Sequence, residues 1–230
     1  ATVSDRKQLA TLAQREGKRL WMSESGDGGS GISGNLAMAQ RIIDDVRYLM
    51  PDAWLDWQYV EEGNDQWCLV QASFANATYQ RVKNYYVRQQ FSRFIPKGYT
   101  FVDNTCTQCL SAINPGKDTL VTVLLNNNDQ KQDFRLQISD LKTAGTSKVY
   151  RTTESEDLRR LSAPTIDGEG WFTLSLPAQS VVTIITPVTL DEGTGIDNPA
   201  ATQSLMNFRV TEHALHVSAT DNIPCHVTLY

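Results

Sequence analysis

Residues 19–49 read RLWMSESGDGGSGISGNLAMAQRIIDDVRYL and carry three structural signals in succession. Residues 19–24 predict a short strand, and the five glycines within residues 26–34 predict a loop that leaves open space near the backbone. From Asn35 onward, apolar residues recur at helical spacing until Pro51 ends the pattern. The stretch therefore predicts a strand, a glycine-rich loop and a helix, which together make one β/α unit.

A second unit of the same kind follows along the chain. Residues 53–60, AWLDWQYV, predict a strand that is rich in aromatic side chains. One helix is predicted before the first strand, ending at Gly17, and another over residues 79–94. The order α-β-α-β-α predicts two parallel strands joined by a crossover helix.

After Pro96 the pattern changes to short β-rich runs separated by turn residues. Such spacing predicts an antiparallel β-sandwich, with strands at residues 99–103, 120–125, 134–138, 148–151, 171–176 and 181–186. The sequence thus predicts an α/β part over residues 1–96, followed by an all-β domain over residues 97–188.

The last forty residues differ again in composition. Residues 189–206 are rich in Gly, Asp and Pro, which predicts a flexible linker. Residues 207–230 predict the opening strands of another small β module that stops short. Because the chain starts at Ala1 in the middle of a polar helical pattern, we expect it to be a piece of a longer protein.

Composition excludes several classes of function. The 230 residues carry a formal net charge of -5, which argues against non-specific nucleic-acid binding. No apolar run approaches the ~18–20 residues of a membrane-spanning helix. Cys106 and Cys109 form an isolated C-x-x-C, which predicts a local disulfide or two half-buried thiols rather than a metal site. We expect neither a metal nor a cofactor.

Two segments could carry chemistry. Glu24 stands at the carboxyl end of the first predicted strand, where barrel enzymes place catalytic groups, although a glutamate there can equally be solvated or salt-bridged. The second strand holds Trp54, Asp56, Trp57 and Tyr59. Aromatic faces stack on sugar rings and carboxylates bond hydroxyls, but the same aromatic residues suit core packing equally well.

Several short motifs resemble, in the right order, the family 30 glycoside hydrolases. Residues 20–26, LWMSESG, resemble their seventh barrel strand, and residues 54–57, WLDW, resemble the W-x-D-W of the eighth. Trp67 resembles the loop tryptophan that follows, and residues 85–98 resemble the last barrel helix. Together with the sandwich strand at residues 120–126, the resemblance covers residues 5–187. It implies the last part of a (β/α)8 barrel, strands 7 and 8, followed by an antiparallel β-sandwich.

The resemblance also implies a reaction and roles for individual residues. These enzymes retain configuration, so Glu24 matches the nucleophile, and a second carboxylate ~5–5.5 Å away serves as acid and base. Trp57 matches the tryptophan beside the attacked sugar, and Asp56 and Trp67 match neighbouring pocket residues. Trp54 and Tyr59, on the same aromatic strand, are expected to contribute to substrate binding as well.

One part of the family pattern is missing from the sequence. The family's acid/base is a Glu in an N-E-P-type motif after the fourth strand, and no N-E or E-P pair occurs here. A complete barrel needs about 250 residues. We therefore expect the N-terminal barrel half, with the acid/base, to be the missing partner of this chain, and the chain alone to be inactive.

Within the family, the motifs look more similar to endo-β-1,6-galactanase-like bacterial members than to glucosylceramidases. The tail from Gly195 resembles a type IX secretion sorting domain, which implies a secreted or cell-surface location. Two alternatives remain open. One is a non-catalytic carbohydrate-binding sandwich module, and the other is a structural surface protein descended from an enzyme.

Overall fold

The computed structural model describes residues 1–102, 104, 106–138 and 141–190, and the backbone of residues 205–211, 214–220 and 228–229. The first part of the chain, residues 1–96, alternates helices with short strands. Its elements are α1 (Val3–Arg15), β1 (Trp21–Met22), α2 (Ile32–Asp44), a π-helical turn (Asp45–Leu49), β2 (Ala53–Trp54), β3 (Val60–Glu62), β4 (Val70–Ser73), β5 (Thr78–Arg81) and α3 (Lys83–Ser92).

The two strands β1 and β2 are parallel, as the α-β-α-β-α order predicts. Trp21 lies opposite Ala53 and Met22 lies opposite Trp54. Regular pairing is shorter than predicted, but backbone contacts continue beyond it, because the N–H of Trp57 donates to the carbonyl of Ser25 at 2.7 Å. The segments that follow the two strands therefore run side by side at the carboxyl end of the pair.

The segment between β2 and α3 contains three further strands. It forms a three-stranded sheet in which β3 pairs parallel to β4 and β4 pairs antiparallel to β5. The prediction of a helix starting at residue 79 is wrong at its beginning, since residues 79–81 lie in β5 and α3 starts at Lys83. Strand pairing with β4 overrides the local helical pattern at those residues.

We refer to residues 97–190 as the C-terminal β part, because the regular elements in its described residues are strands. The strands are β6 (Thr100–Val102), β7 (Cys109–Ile113), β8 (Thr119–Asn126), β9 (Gln132–Gln137), β10 (Leu141–Thr143), β11 (Lys148–Thr152), β12 (Arg159–Leu161), β13 (Trp171–Leu176) and β14 (Ser180–Leu190). One sheet has the order β12-β11-β14-β8-β7-β6, with β10 paired to β14, and β13 pairs separately with β9. All six predicted strands coincide with or overlap observed ones, whereas β7, β10 and β12 were not predicted.

Two apolar cores hold the molecule together. The first joins residues of α2 and α3, such as Ile42 and Phe91, to residues of β7, β8 and β14, such as Leu110 and Val123. The second lies within the C-terminal β part, where Phe134 and Leu136 of β9 pack with Leu124, Phe172 and Ile184. Because the first core draws on both parts of the chain, neither part completes its own interior alone.

A buried polar contact attaches α1 to the rest of the first part. The Arg6 Nε donates to Asp45 Oδ1 at 2.6 Å, and the Trp54 Nε1 donates to Asp45 Oδ2 at 2.9 Å. Asp45 is only 1% exposed. The helical pattern of the sequence gives no sign of this burial, because it is the π-helical turn beginning at Asp45 that places the carboxylate in the interior.

Three strands lie within the described residues of the C-terminal end. β15 (Leu205–Thr211) and β16 (Ala214–Thr220) pair antiparallel, and β17 (Thr228–Leu229) pairs parallel with β2. Most of the predicted linker, residues 191–204, lies outside the described residues. The sorting-type module over residues 207–230 stays a prediction.

Within the described ranges, no helix has both the length and the apolar character needed to cross a membrane. In the same ranges, no group of three or more His, Cys, Asp or Glu side chains is placed to hold a metal ion.

Candidate active site

Glu24 lies two residues beyond the end of β1, on the side toward which both parallel strands point. Its side chain is exposed, whereas that of Ser25 next to it is buried. The Ser25 carbonyl accepts the Trp57 N–H, so the backbone beside Glu24 is fixed to the backbone after β2. An accessible carboxylate on a held backbone is what a nucleophile requires.

The loop between Glu24 and α2 is tied down along its length. Asp27 forms an ion pair with Arg41 of α2, which also donates from Nη2 to Asp27 Oδ1 at 3.1 Å. The Asn35 Nδ2 donates to the carbonyl oxygens of Gly29 and Gly31, each at 2.7 Å. These bonds fold the loop back onto the first turn of α2.

Glycine is required where this loop meets the helix. A Cβ on Gly34 would lie 2.7 Å from the Gly29 Cα and 2.8 Å from the Gly28 carbonyl oxygen. Both distances are shorter than the van der Waals contact distance of a Cβ atom. Both involve backbone atoms, which cannot rotate away as a side chain could. The glycine-rich pattern therefore supplies a close backbone approach, in addition to the open space expected from the sequence.

Three of the predicted sugar-binding aromatics are accessible. Trp57 is 47% exposed, Tyr59 is 66% exposed and Trp67 is 37% exposed. The Trp67 Nε1 donates to Glu61 Oε2 at 3.0 Å, and the Gln58 N–H donates to the Trp67 carbonyl at 2.6 Å. These bonds hold Trp67 close to the segment that carries Trp57.

Trp54, in contrast, is placed in the interior, which corrects the prediction that it contacts substrate. It is fully buried, and its indole N–H donates a hydrogen bond to the Asp45 carboxylate. The Arg88 guanidinium covers its ring at 4.5 Å from the centroid. Both residues of β2 are buried, Ala53 at 3% exposure and Trp54 at 0%, so the large apolar surface of Trp54 stabilises the fold instead of a ligand.

Asp56 is half-buried and electrostatically unusual. The Trp57 backbone and the Asn84 side chain donate hydrogen bonds to its carboxylate, and both act on its pKa less strongly than burial does. Burial raises the pKa of the Asp56 carboxyl to about 6, although the nearby positive charge of Arg88 acts to lower it. A carboxyl that titrates near neutrality beside a cavity is a candidate binding group.

The cavity beside Asp56 has a volume of about 480 Å³. Asp56, Tyr59, Arg88 and Arg93 contribute to its wall. The sequence did not single out Arg88, because an arginine within a helical pattern is usually solvated. Its burial follows from packing against Trp54, which no local signal shows.

The C-x-x-C pair lies away from Glu24, at the start of β7. Both cysteines are free thiols, with Cys109 buried and Cys106 partly buried, which corresponds to the second of the two alternatives left open by the sequence. The contact with the Cys109 thiol lowers the pKa of Cys106 to about 7. The Arg47 Nη1 donates to the Cys106 carbonyl at 2.6 Å and so holds this turn.

Comparisons with known proteins agree with the sequence motifs. No family profile matches the chain. The chain is 32% identical over 143 residues to an endo-beta-1,6-galactanase from Hypocrea rufa, an alignment that covers 62% of this chain and 29% of that protein.

Solved structures share its fold. A glycoside hydrolase family 30 subfamily 8 xylanase from Clostridium acetobutylicum superposes with a TM-score of 0.65 at 24% identity, over 77% of this chain and 44% of the xylanase. A GH30 endoxylanase from Clostridium papyrosolvens gives 0.64 at 24% identity, over 81% of this chain and 46% of that enzyme. The resemblance to glycoside hydrolase family 30 is therefore confirmed, and the chain spans less than half the length of these relatives.

Proposed function

We propose that this chain is the C-terminal part of a retaining glycoside hydrolase that acts on a β-linked polysaccharide, with Glu24 as its nucleophile. The observation that carries the proposal is the placement of Glu24. It is exposed at the carboxyl end of β1, and Trp57, from the neighbouring parallel strand, is bonded to the residue beside it. Barrel enzymes assemble their catalytic groups at this end of parallel strands.

The proposed reaction has two steps. The Glu24 carboxylate attacks the anomeric carbon and forms a glycosyl ester while a carboxylic acid protonates the departing oxygen. That second group then takes a proton from water, which hydrolyses the ester. In our proposal Trp57, Tyr59 and Trp67 contact the sugar rings, Asp56 binds from its cavity, and the acid/base belongs to an N-terminal barrel half outside this chain.

The proposed fold follows from the same comparison. The β1–α2–β2–α3 segment represents strands 7 and 8 of a (β/α)8 barrel with their helices, and the C-terminal β part represents the attached β-sandwich. β-1,6-linked galactan is the first substrate to test, because the relative with 32% identity is an endo-beta-1,6-galactanase. Xylan is the second, because the structural neighbours are xylanases. A secreted or cell-surface location is part of this proposal, and cell fractionation would test it.

Trapping of the intermediate tests the assignment of Glu24. The whole protein that contains this chain is incubated with a 2-deoxy-2-fluoro glycoside, digested with trypsin and analysed by mass spectrometry. Arg19 and Arg41 flank Glu24, so the label is expected on the peptide of residues 20–41. The Glu24→Gln variant should remain folded, because the side chain is exposed, and should show neither label nor turnover. A label on another peptide would contradict the assignment.

The same proteins separate cleavage from simple binding. The exposed rings of Trp57 and Tyr59 would also suit a module that binds glycans without cutting them. Binding of galactan by the whole protein without any turnover would favour that alternative. The 230-residue chain alone is expected not to hydrolyse aryl glycosides, and measurable turnover by it would show that it contains both carboxylates.

A further inference from the structure

Glu154, in the turn after β11, reaches across to the helix that follows the Glu24 loop. Its Oε2 accepts the backbone N–H of Ile32, the first residue of α2, at 2.6 Å. The two residues are 122 positions apart, and the contact joins the C-terminal β part to the glycine-rich loop. A carboxylate at this position satisfies a free N–H and faces the positive end of the helix dipole.

The start of α2 is built to accept this carboxylate. The residue at the capping position is Gly31, which has no side chain with which to cap the helix. A Cβ on Gly31 would lie 2.9 Å from Glu154 Oε2 and 3.3 Å from Oε1. The glycine therefore leaves room for a cap that comes from a distant part of the chain.

Glu154 is itself held in place from the C-terminal β part. Two residues further on, Glu156 accepts hydrogen bonds from Arg151 Nη2 at 2.8 Å and from Arg159 Nη1 at 2.7 Å. The Thr153 N–H donates to the Glu156 carbonyl at 3.0 Å. The turn that carries Glu154 is thus fixed to its own strands, so the position of the cap is set by the β part.

Hydrogen bonds along the loop connect the start of α2 to the backbone beside Glu24. Asn35 in the first turn of α2 bonds the carbonyls of Gly29 and Gly31, Arg41 bonds Asp27, and the Ser25 carbonyl is held by Trp57. Every residue between Ser25 and Ile32 is therefore either bonded in this way or lies next to a residue that is. A shift of the helix start would therefore move the backbone beside Glu24.

We propose that Glu154 is a positioning residue for the nucleophile, through which the C-terminal β part fixes the loop of residues 25–31. This inference rests on the proposed role of Glu24. Glu154 does not touch the substrate, and its effect passes through the backbone of the loop and of α2. The β part is then a component of the active site, in addition to its role in the shared core.

The experiment compares Glu154→Ala, Glu154→Gln and Glu169→Ala in the whole protein that contains this chain. Glu169→Ala is the matched control, since it removes the same charge from an exposed turn of the β part far along the sequence from α2. Hydrogen exchange of residues 26–33 and the steady-state constants kcat and KM on galactan or xylan are measured at a temperature well below unfolding.

Glu154→Ala should speed exchange in residues 26–33 and lower kcat by roughly 10- to 100-fold, with KM little changed, because small misplacements of reacting groups carry costs of that order. Glu154→Gln should restore most of kcat, because its amide oxygen can accept the same N–H. Glu169→Ala should match the wild type in both measurements.

Two results would overturn the proposal. One is unchanged exchange in residues 26–33 of Glu154→Ala. The other is faster exchange with unchanged kcat, which would reduce Glu154 to a purely structural cap. If the wild-type protein cleaves no glycoside, the proposed function fails by itself, and exchange in residues 26–33 still decides whether Glu154 fixes the loop.

Discussion

Trp54 and Trp57 lie three residues apart in one segment, yet they have opposite environments. Trp54 is fully buried between Asp45 and Arg88, whereas Trp57 is 47% exposed beside the Glu24 backbone. The sequence assigned both to substrate binding, Trp57 through the family resemblance and Trp54 through its place on the same aromatic strand. Both residues of β2 are buried, whereas Trp57 lies beyond the end of that strand, so the path of the backbone after Trp54 separates the two rings.

Asp56, between these two tryptophans, should make stability depend on pH. Its pKa is raised to about 6 in the folded protein, so the folded state binds a proton more tightly than the unfolded chain, and stability falls as pH rises from about 4 to about 6. Asp56→Asn, which stays neutral, should therefore be more stable than the wild type at pH 7, and the difference should vanish near pH 4.

Urea unfolding at several pH values measures this difference. Asp129→Asn, which alters an exposed carboxylate in the C-terminal β part, serves as the control and should show no such trend. If the difference in unfolding free energy between the wild type and Asp56→Asn is the same at pH 7 as at pH 4, Asp56 is ionised in the folded protein without a loss of stability.

At the scale of elements, a buried carboxylate in the π-helical turn after α2 connects that turn to α1 and β2. Replacing Asp45 by Ala leaves the Arg6 guanidinium buried without its partner, and also removes the acceptor of the Trp54 N–H. Loss of one member of a buried pair costs about 3–5 kcal/mol in free energy of unfolding. Chemical denaturation should show a loss of that size in Asp45→Ala.

The neighbouring Asp44 provides the matched control. Its carboxylate accepts a single bond from Gln40 Nε2 at 2.9 Å and is not fully buried. Asp44→Ala should therefore cost less than about 1 kcal/mol. Equal losses in the two variants would contradict the assignment of Asp45 to a structural pair.

The contact between the glycine-rich loop and α2 gives a second prediction at this scale. Alanine is normally the better helix residue, but at Gly34 its Cβ would collide with backbone atoms of Gly28 and Gly29. Overpacking of this kind costs about 1–3 kcal/mol, which outweighs the gain in helix propensity of about 1 kcal/mol. Gly34→Ala should thus lower the thermal midpoint, whereas Gly168→Ala, where a Cβ meets open space, should not. A stabilised Gly34→Ala would show that the loop can move away from the helix.

At the scale of the whole molecule, a buried glutamine of α3 helps to join the two parts. The Gln90 Nε2 donates to Thr152 Oγ1 at 2.8 Å, and the Thr183 Oγ1 donates to the Gln90 carbonyl at 2.7 Å and contacts its Oε1 at 2.5 Å. Thr152 belongs to β11 and Thr183 to β14. Together with the shared core, these bonds connect the helix to the centre of the large sheet.

Gln90→Ala should lower the free energy of unfolding of the chain by about 1–3 kcal/mol, because it leaves buried hydroxyl groups with fewer partners. Gln89→Ala, one position earlier and less buried, should stay within about 0.5 kcal/mol of the wild type.

Denaturation followed by both tryptophan fluorescence and circular dichroism should give one coincident transition, since the first core spans both parts. Two separate transitions would contradict that shared core.

Local pattern was enough to predict much of this protein. Apolar spacing determined α2, turn residues and β-rich runs determined most strands of the C-terminal β part, and the motifs around Glu24 and Trp57 determined the resemblance to family 30. Each of these signals lies within a few neighbouring residues, where backbone geometry and side-chain periodicity act directly.

The tertiary structure alone decided which of these residues are available for chemistry. Asp45 pairs with Arg6, Trp54 is enclosed by Arg88, Gln90 bonds Thr183, and Glu154 caps a helix 122 positions earlier in the chain. Burial and hydrogen-bond partners depend on elements that are distant in sequence, so a carboxylate or a tryptophan carries no local mark of them. For this reason the sequence could single out Glu24 as the candidate nucleophile, but only the folded chain showed what holds its loop in place.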